Sequence, residues 1–96
     1  MTATIGLDTV VCQRADALCS AIDDEIVLMS IERGKYYGLS KVGSDIWRRL
    51  TQPISAGNLC AALAGEYTGD RAVIEHDTIA MLEQLAERDL VESVAA

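Results

Sequence analysis

The side chains that carry most enzyme chemistry are sparse in this sequence and poorly grouped. Its single histidine, His76, lies between Glu75 and Asp77. Metal binding or acid–base work needs several such groups converging on one point. On a helix, which the surrounding pattern predicts, consecutive side chains splay by about 100°. Glu75, His76 and Asp77 therefore read as solvated helix surface. The cysteines are Cys12, Cys19 and Cys60. An odd number with no CxxC implies neither a disulfide framework nor a zinc knuckle. Cys60 falls in an apolar helical stretch, where a thiol behaves as a small hydrophobe. No cysteine has an identifiable partner base. Ser40, Ser44 and Ser55 fit helix caps and helix surface better than nucleophiles. GLSKVG and GKYYG lack the lysine–serine/threonine ending of a phosphate loop. The expectation is a protein with no catalytic constellation, no metal set and no cofactor.

What remains is a candidate for binding. Tyr36 and Tyr37 are adjacent in the run GKYYGLSKVGSDIW, residues 34–47. On a strand, neighbours point to opposite faces, so only one of them can join the core. The other is free to line a groove beside an exposed strand. Trp47, at a helical core position, is read as a packing anchor.

The elements that position these tyrosines follow from pattern. Residues 1–8 read as a loose arm, and Val10-Val11-Cys12 as extended. LCSAI (Leu18–Ile22) is a strand, followed by a turn at Asp23-Asp24. EIVLMSI (Glu25–Ile31) is apolar on both faces and reads as the central strand. Glu32-Arg33-Gly34 forms the next turn, with Gly34 free to take positive φ, and KYYGL (Lys35–Leu39) is the third strand. Three strands with two short turns make an antiparallel meander. After Ser40, an N-cap, Val42, Ile46, Trp47 and Leu50 predict a helix over 41–51, ended before Pro53. Ser55 caps a second helix that ends near Tyr67-Thr68-Gly69. Asp70 caps a third over 71–88, with Ile74, Thr78, Met81, Leu82 and Leu85 as its apolar stripe. Leu90-Val91 returns to the core, and the tail SVAA frays. The layout is α+β: a three-stranded antiparallel β-sheet followed by three α-helices, winged-helix-like, in a single domain 1–96 with an ordered core of about 9–92.

In a simple meander the third strand is an edge, and an edge must be covered or used. One use is strand addition, in which a peptide pairs through its main chain and flanking pockets choose side chains. The third helix supplies a second wall. One of its flanks carries Asp77, Met81 and Gln84, the other Ile79, Leu82 and Ala86. The first has the apolar, charged and amide groups a peptide groove needs, and it is the flank expected to face the strand.

The bulk numbers agree with a peptide partner. Eight basic residues stand against 15 acidic ones, a formal charge of −7, which disfavours a phosphate backbone. No apolar run approaches the ~20 residues of a membrane span. MTATIGLDTV lacks the basic region and long apolar stretch of a signal peptide. A cytoplasmic protein is expected, without a nucleic-acid or membrane partner. A homodimer through sheet edges or swapped strands suits so small a domain.

The runs VLMSIERGKYYGLSKVGSDIWRRL, ISAGNLCAALAGEYTGD and HDTIAMLEQLAERDLVE resemble PqqD-like proteins, the RiPP recognition elements. The likeness covers about residues 17–92. YYGLSKVGSDIW looks closer to the stand-alone leader-peptide-binding protein of lasso-peptide biosynthesis than to PqqD itself, which is expected to carry CDG where this chain has LTQP. The resemblance implies a sheet of three strands with three helices, and a precursor leader added to the third strand in the groove against the third helix. The bound precursor then passes to a cysteine leader peptidase and an ATP-dependent lasso cyclase, and the recognition protein catalyses nothing. Carried over by position, the peptide-binding residues are Lys35, Tyr36, Tyr37, Gly38, Leu39, Asp77, Ala80, Met81 and Gln84. Asp89 stands where the family often has a glycine, and Thr78 where it has an apolar β-branched residue. Two other readings compete. One is a PqqD-type chaperone for a radical-SAM enzyme. The other is a winged-helix DNA-binding regulator, which the net charge and Glu75, Asp77, Glu83 and Glu87 on the last helix oppose.

Overall fold

In the computed structural model, residues 5–94 are described, apart from 16, 24 and 32. The expected turns at Asp23-Asp24 and Glu32-Arg33-Gly34 thus fall partly outside the described residues, as do the ends of the arm and of the tail. Asp23 (φ 56°) and Gly34 (φ 61°) both take the left-handed backbone of a tight reversal.

The chain runs β1 (Val10–Gln13), β2 (Leu18–Ile22), β3 (Glu25–Ser30), β4 (Lys35–Gly38), α1 (Lys41–Arg49), β5 (Ile54–Ser55), α2 (Ala56–Glu66), α3 (Arg71–Glu87) and β6 (Val91–Val94). β2, β3 and β4 form the antiparallel sheet that the meander reading expects, with β3 central. Ile26, Leu28 and Ser30 on β3 are buried, while Val27 and Met29 on its other face are half-buried. The sheet thus has an inner face on the core and an outer face toward solvent.

Each helix begins where its cap residue stands. The side-chain oxygens of Ser40, Ser55 and Asp70 accept the N–H groups of Gly43, Asn58 and Ala72, satisfying donors the first turn leaves free. The helices pack on a core that includes Leu28, Trp47, Leu50, Leu59, Leu63, Leu82 and Leu85. Burying one leucine of this kind contributes about 1.5–3 kcal/mol. Trp47 is a core anchor, as its spacing suggests. Its indole nitrogen is the one buried side-chain polar atom lacking a hydrogen bond among the described residues.

Three local readings change. Ser44 is not on the helix surface: it is fully buried, and its hydroxyl accepts the Ile26 N–H at 2.8 Å. That bond ties α1 to the sheet, and leaving the buried donor unpaired would cost about 1–3 kcal/mol. The arm is held at residues 5–8: Ile5 is buried, its N–H donates to Glu83 at 3.2 Å, and the Leu7 carbonyl accepts the Gly57 N–H at 2.8 Å. Ser93 and Val94 are not frayed but belong to β6, which pairs with β1 from Val10↔Val94 to Gln13↔Val91. With β5 on the other side of β1 this makes a second three-stranded sheet.

Candidate functional site

β4 lies at an edge of its sheet, and its register decides which groups it offers. Leu28 is opposite Tyr37, and Met29 is opposite Tyr36. Directly opposed residues share a face, so Tyr37 points inward and Tyr36 outward. Burial agrees: Tyr37 is half-buried against the core and Tyr36 is 72% exposed. The Leu39 N–H donates to the Ile26 carbonyl at 2.9 Å. In an antiparallel ladder main-chain bonding alternates, so Lys35, Tyr37 and Leu39 turn their N–H and C=O groups toward β3. Tyr36 and Gly38 turn theirs to the open edge.

The wall beside that edge is α3, joined at both ends. At the hairpin end, the Arg33 guanidinium donates to the Glu87 carbonyl at 2.6 Å and pairs with Asp89 at 3.3 Å. Asp89 takes φ 58°, the left-handed geometry for which an aspartate is a tolerable substitute for glycine. Its carboxylate also faces Arg14 at 3.9 Å. One residue earlier, the Arg88 guanidinium stacks on the Tyr37 ring, 4.4 Å from its centroid. At the other end, Gly43 of α1 lies against Met81, where a Cβ would sit 3.1 Å from the Met81 methyl. Asp77 to Arg88 is eleven helical steps, or about 16 Å at 1.5 Å each. That is the length of about five strand residues.

Beyond Met81 the groove opens into a cleft of about 360 Å³ between α1, the end of α2 and α3. Val42, Ile46, Ile74 and Met81 give it apolar lining, and Asp77, Thr68 and Tyr67 give it polar atoms. Tyr67 is fixed by Asp45, whose carboxylate accepts its hydroxyl at 2.8 Å. Arg49 in turn bridges Asp45 and Glu66. The hydrogen bond to Asp45, reinforced by burial, raises the Tyr67 pKa. The phenol therefore stays a donor through the neutral range. Cys60 is buried under α3, and its thiol pKa is raised by that burial and by the nearby Glu75. Such a thiol is inert rather than nucleophilic. Among the described residues, no three His, Cys, Asp or Glu side chains come together as a metal site would need.

The sequence-predicted site residues divide into groups. Tyr37, Asp77 and Met81 lie along one groove, because the Arg88–Tyr37 and Met81–Gly43 contacts turn that flank of α3 toward β4 and α1. Lys35 shares the inner face of β4 with Tyr37, and Gln84 shares the helix face of Asp77, Met81 and Arg88. Gly38 joins through its main chain, and Tyr36 also, but the Tyr36 ring lies on the outer face beside Leu18, Val27 and Met29. Leu39 is buried in the core. Ala80 is carried to the back of the helix, beside Leu7, His76 and Glu83. Arg88, Tyr67 and Val42 were not expected in the groove. Arg88 could have been found by continuing the helical series from Asp77 and Gln84, since residues four apart share a face. Tyr67 carried no such signal, because its place depends on how α2 meets α1.

Comparison with known proteins agrees with this architecture. The family model for "Coenzyme PQQ synthesis protein D (PqqD)" matches residues 25–91. Among solved structures, TbiB1, determined in complex with the TbiA(beta) leader peptide, is 34% identical with a TM-score of 0.78, covering 88% of this chain and 99% of its own. A lasso peptide synthetase B1 complexed with its leader peptide is 24% identical, with a TM-score of 0.74 and coverages of 85% and 96%. The PqqD portion of Methylobacterium extorquens PqqCD, described as a functional, stand-alone RiPP recognition element, is 22% identical, with a TM-score of 0.75 and coverages of 95% and 96%. These last two share the fold. No curated protein matches the chain. The family model spans β3 to the start of β6, every element that builds the groove, and this chain belongs to the PqqD family.

Proposed function

We propose that this chain binds the leader segment of a ribosomally synthesised precursor peptide. The leader adds as a strand to β4, in the groove against α3. The observation that carries this reading is the open β4 edge with its wall: Tyr36 and Gly38 offer unpaired main-chain groups, and the flank of α3 carrying Met81 and Asp77 runs beside them. Strand addition takes its affinity from such groups and its specificity from the adjoining pockets. The 34%-identical TbiB1 was captured with a leader peptide, which supports the same ligand class here. Lys35, Tyr37, Gly38, Asp77, Met81 and Gln84 form the site, with Tyr36 contributing its main chain. The chain acts as an adaptor in the cytoplasm and catalyses nothing itself. It delivers the bound precursor to a cysteine leader peptidase and an ATP-dependent lasso cyclase.

The test is titration of the purified chain with a fluorescein-labelled peptide covering the leader of the precursor encoded beside its gene. Saturable one-to-one binding at micromolar concentration or tighter is expected, weakened several-fold by Asp77→Ala with the circular dichroism unchanged. No binding at tens of micromolar would sink the proposal. A neighbouring gene for a radical-SAM enzyme, without a peptidase and cyclase, would redirect the delivery step to the PqqD-type pathway.

A further inference from the structure

The groove carries opposite charges at its two ends, and one of them is an arginine already held in place. Arg88 caps α3, its N–H donating to the carbonyls of Ala86 and Gln84, and its guanidinium carbon lies over the Tyr37 ring, 4.4 Å from the centroid. Arg14 and Arg33, its basic neighbours, are engaged by Asp89. No carboxylate pairs with Arg88 among the described residues; the ring is its partner. A guanidinium held over an aromatic ring uses none of its N–H donors in that contact, so they stay available to a planar acceptor. Lys35, exposed on β4, points to the same face as Tyr37, two residues away. At the far end, about 16 Å along the helix, Asp77 lines the cleft. In a chain of net charge −7, two cations beside one open strand edge form a local exception to the surrounding field.

We infer that Arg88, stacked on Tyr37 and supported by Lys35, is a specificity residue: it selects a carboxylate, Asp or Glu, in the leader strand at the hairpin end of the groove. This rests on the leader-binding reading above and deepens it. A guanidinium pre-oriented by an aromatic face loses little rotamer freedom when a carboxylate arrives. The bidentate geometry it offers suits carboxylate and not amide. With Asp77 disfavouring an acidic residue at the other end, the groove also fixes which way the peptide runs. Main-chain pairing alone does so only weakly, since parallel and antiparallel addition both satisfy Tyr36 and Gly38.

The test is a double-mutant cycle read by fluorescence anisotropy. The probe is the labelled leader of the adjacent precursor and a set of copies with each Asp or Glu changed singly to Asn or Gln. The proteins are the full chain, Arg88→Gln and Arg88→Lys, each checked by thermal melting. For the unchanged chain, one neutralised position should weaken binding about tenfold. For Arg88→Gln that same change should cost less than about twofold. Arg88→Lys, which keeps the charge but not the planar fork, should recover only part of the coupling. Should Arg88→Gln melt too low to assay, Lys35→Gln provides the second arm and should reduce the same coupling by a smaller factor. A leader that binds tightly while no carboxylate change matters overturns the inference and leaves the leader-binding reading standing. So does a penalty that persists undiminished in Arg88→Gln. A leader that fails to bind the unchanged chain overturns both.

Discussion

β2 and β4 flank the same central strand, and each leaves alternate main-chain groups unpaired. On β4 these belong to Tyr36 and Gly38; on β2, by the same alternation, they belong to Cys19 and Ala21. The surroundings differ. All five residues of β2 are exposed, including those on its inner face, so among the described residues no element stands beside that edge. β4 has α3 alongside, with Tyr37 half-buried under Arg88, and a cleft at the end of the run. Hydrogen-bonding capacity is therefore equal at the two edges, and enclosure is not. An open edge by itself invites any strand; an edge with a shaped wall can choose one. The sequence of β2, LCSAI, has no charge or proline to discourage pairing, which makes it a stringent internal control for β4.

The largest expected effect comes from removing one main-chain donor at each edge. Gly38→Pro deletes an N–H that faces the open edge and leaves the bonds to β3 intact. An added Cβ meets no atom within 4 Å there, Gly38 does not take positive φ, and proline is accommodated where its missing N–H faces the open side of an edge strand. Leader affinity should fall about a hundredfold, since the ring both removes a bond and obstructs the incoming strand. Ala21→Pro makes the same change on β2 and should leave affinity unaltered. Isothermal titration reads both. Equal losses, or a second binding event that Ala21→Pro abolishes, would break the distinction between the edges.

A smaller effect separates the two tyrosines. Tyr37→Ala removes the inward ring that Arg88 stacks on, and affinity should drop about tenfold, the scale of a central aromatic contact. Tyr36→Ala takes away a ring on the outer face and should change affinity by less than about threefold. Circular dichroism and a melting curve accompany both, because Tyr37 also packs on the core. The reverse ranking would place the leader on the outer face of the sheet.

This contrast was only half legible in the sequence. The meander and the three caps follow from local signals: apolar runs, turn residues, and a Ser or Asp before each helix. Helical phase groups Asp77, Met81 and Gln84 on one flank of α3 but does not say which flank meets the strand. The second sheet does not follow from such signals: Val10-Val11-Cys12 reads as extended, but IS and VESV are too short to announce themselves as its partners, and β1 meets β6 only through a pairing that spans nearly the whole chain. Which tyrosine faces the groove was also out of reach. Period-two alternation sets the faces relative to each other, but the register with Leu28 sets them absolutely. Helical phase alone keeps Ala80, three residues from Asp77 and four from Gln84, near the groove flank, and only the packing of the arm shows it beside Leu7 and Glu83 instead. For Arg88 the helical series gives the face, but its partner Tyr37 depends on where α3 ends relative to the β3–β4 hairpin, where Arg33 pairs with the distant Asp89.

The smallest effect is the most direct probe of β2. Cys19 is exposed at the middle of that edge, Cys12 is half-buried, and Cys60 is fully buried with its thiol pKa raised by desolvation and by Glu75. Thiolate is the reactive form, and access limits its attack. Iodoacetamide at mildly alkaline pH should therefore modify Cys19 first, Cys12 more slowly, and Cys60 only after unfolding, an order that peptide mass mapping resolves. The singly modified protein then carries a carboxamidomethyl group in the strand most open to solvent. Its leader affinity should match that of the unmodified chain within about twofold, as for a surface change remote from any site. A larger loss would mean that the leader, or a second copy of the chain, engages β2, and that enclosure is not what sets the β4 edge apart.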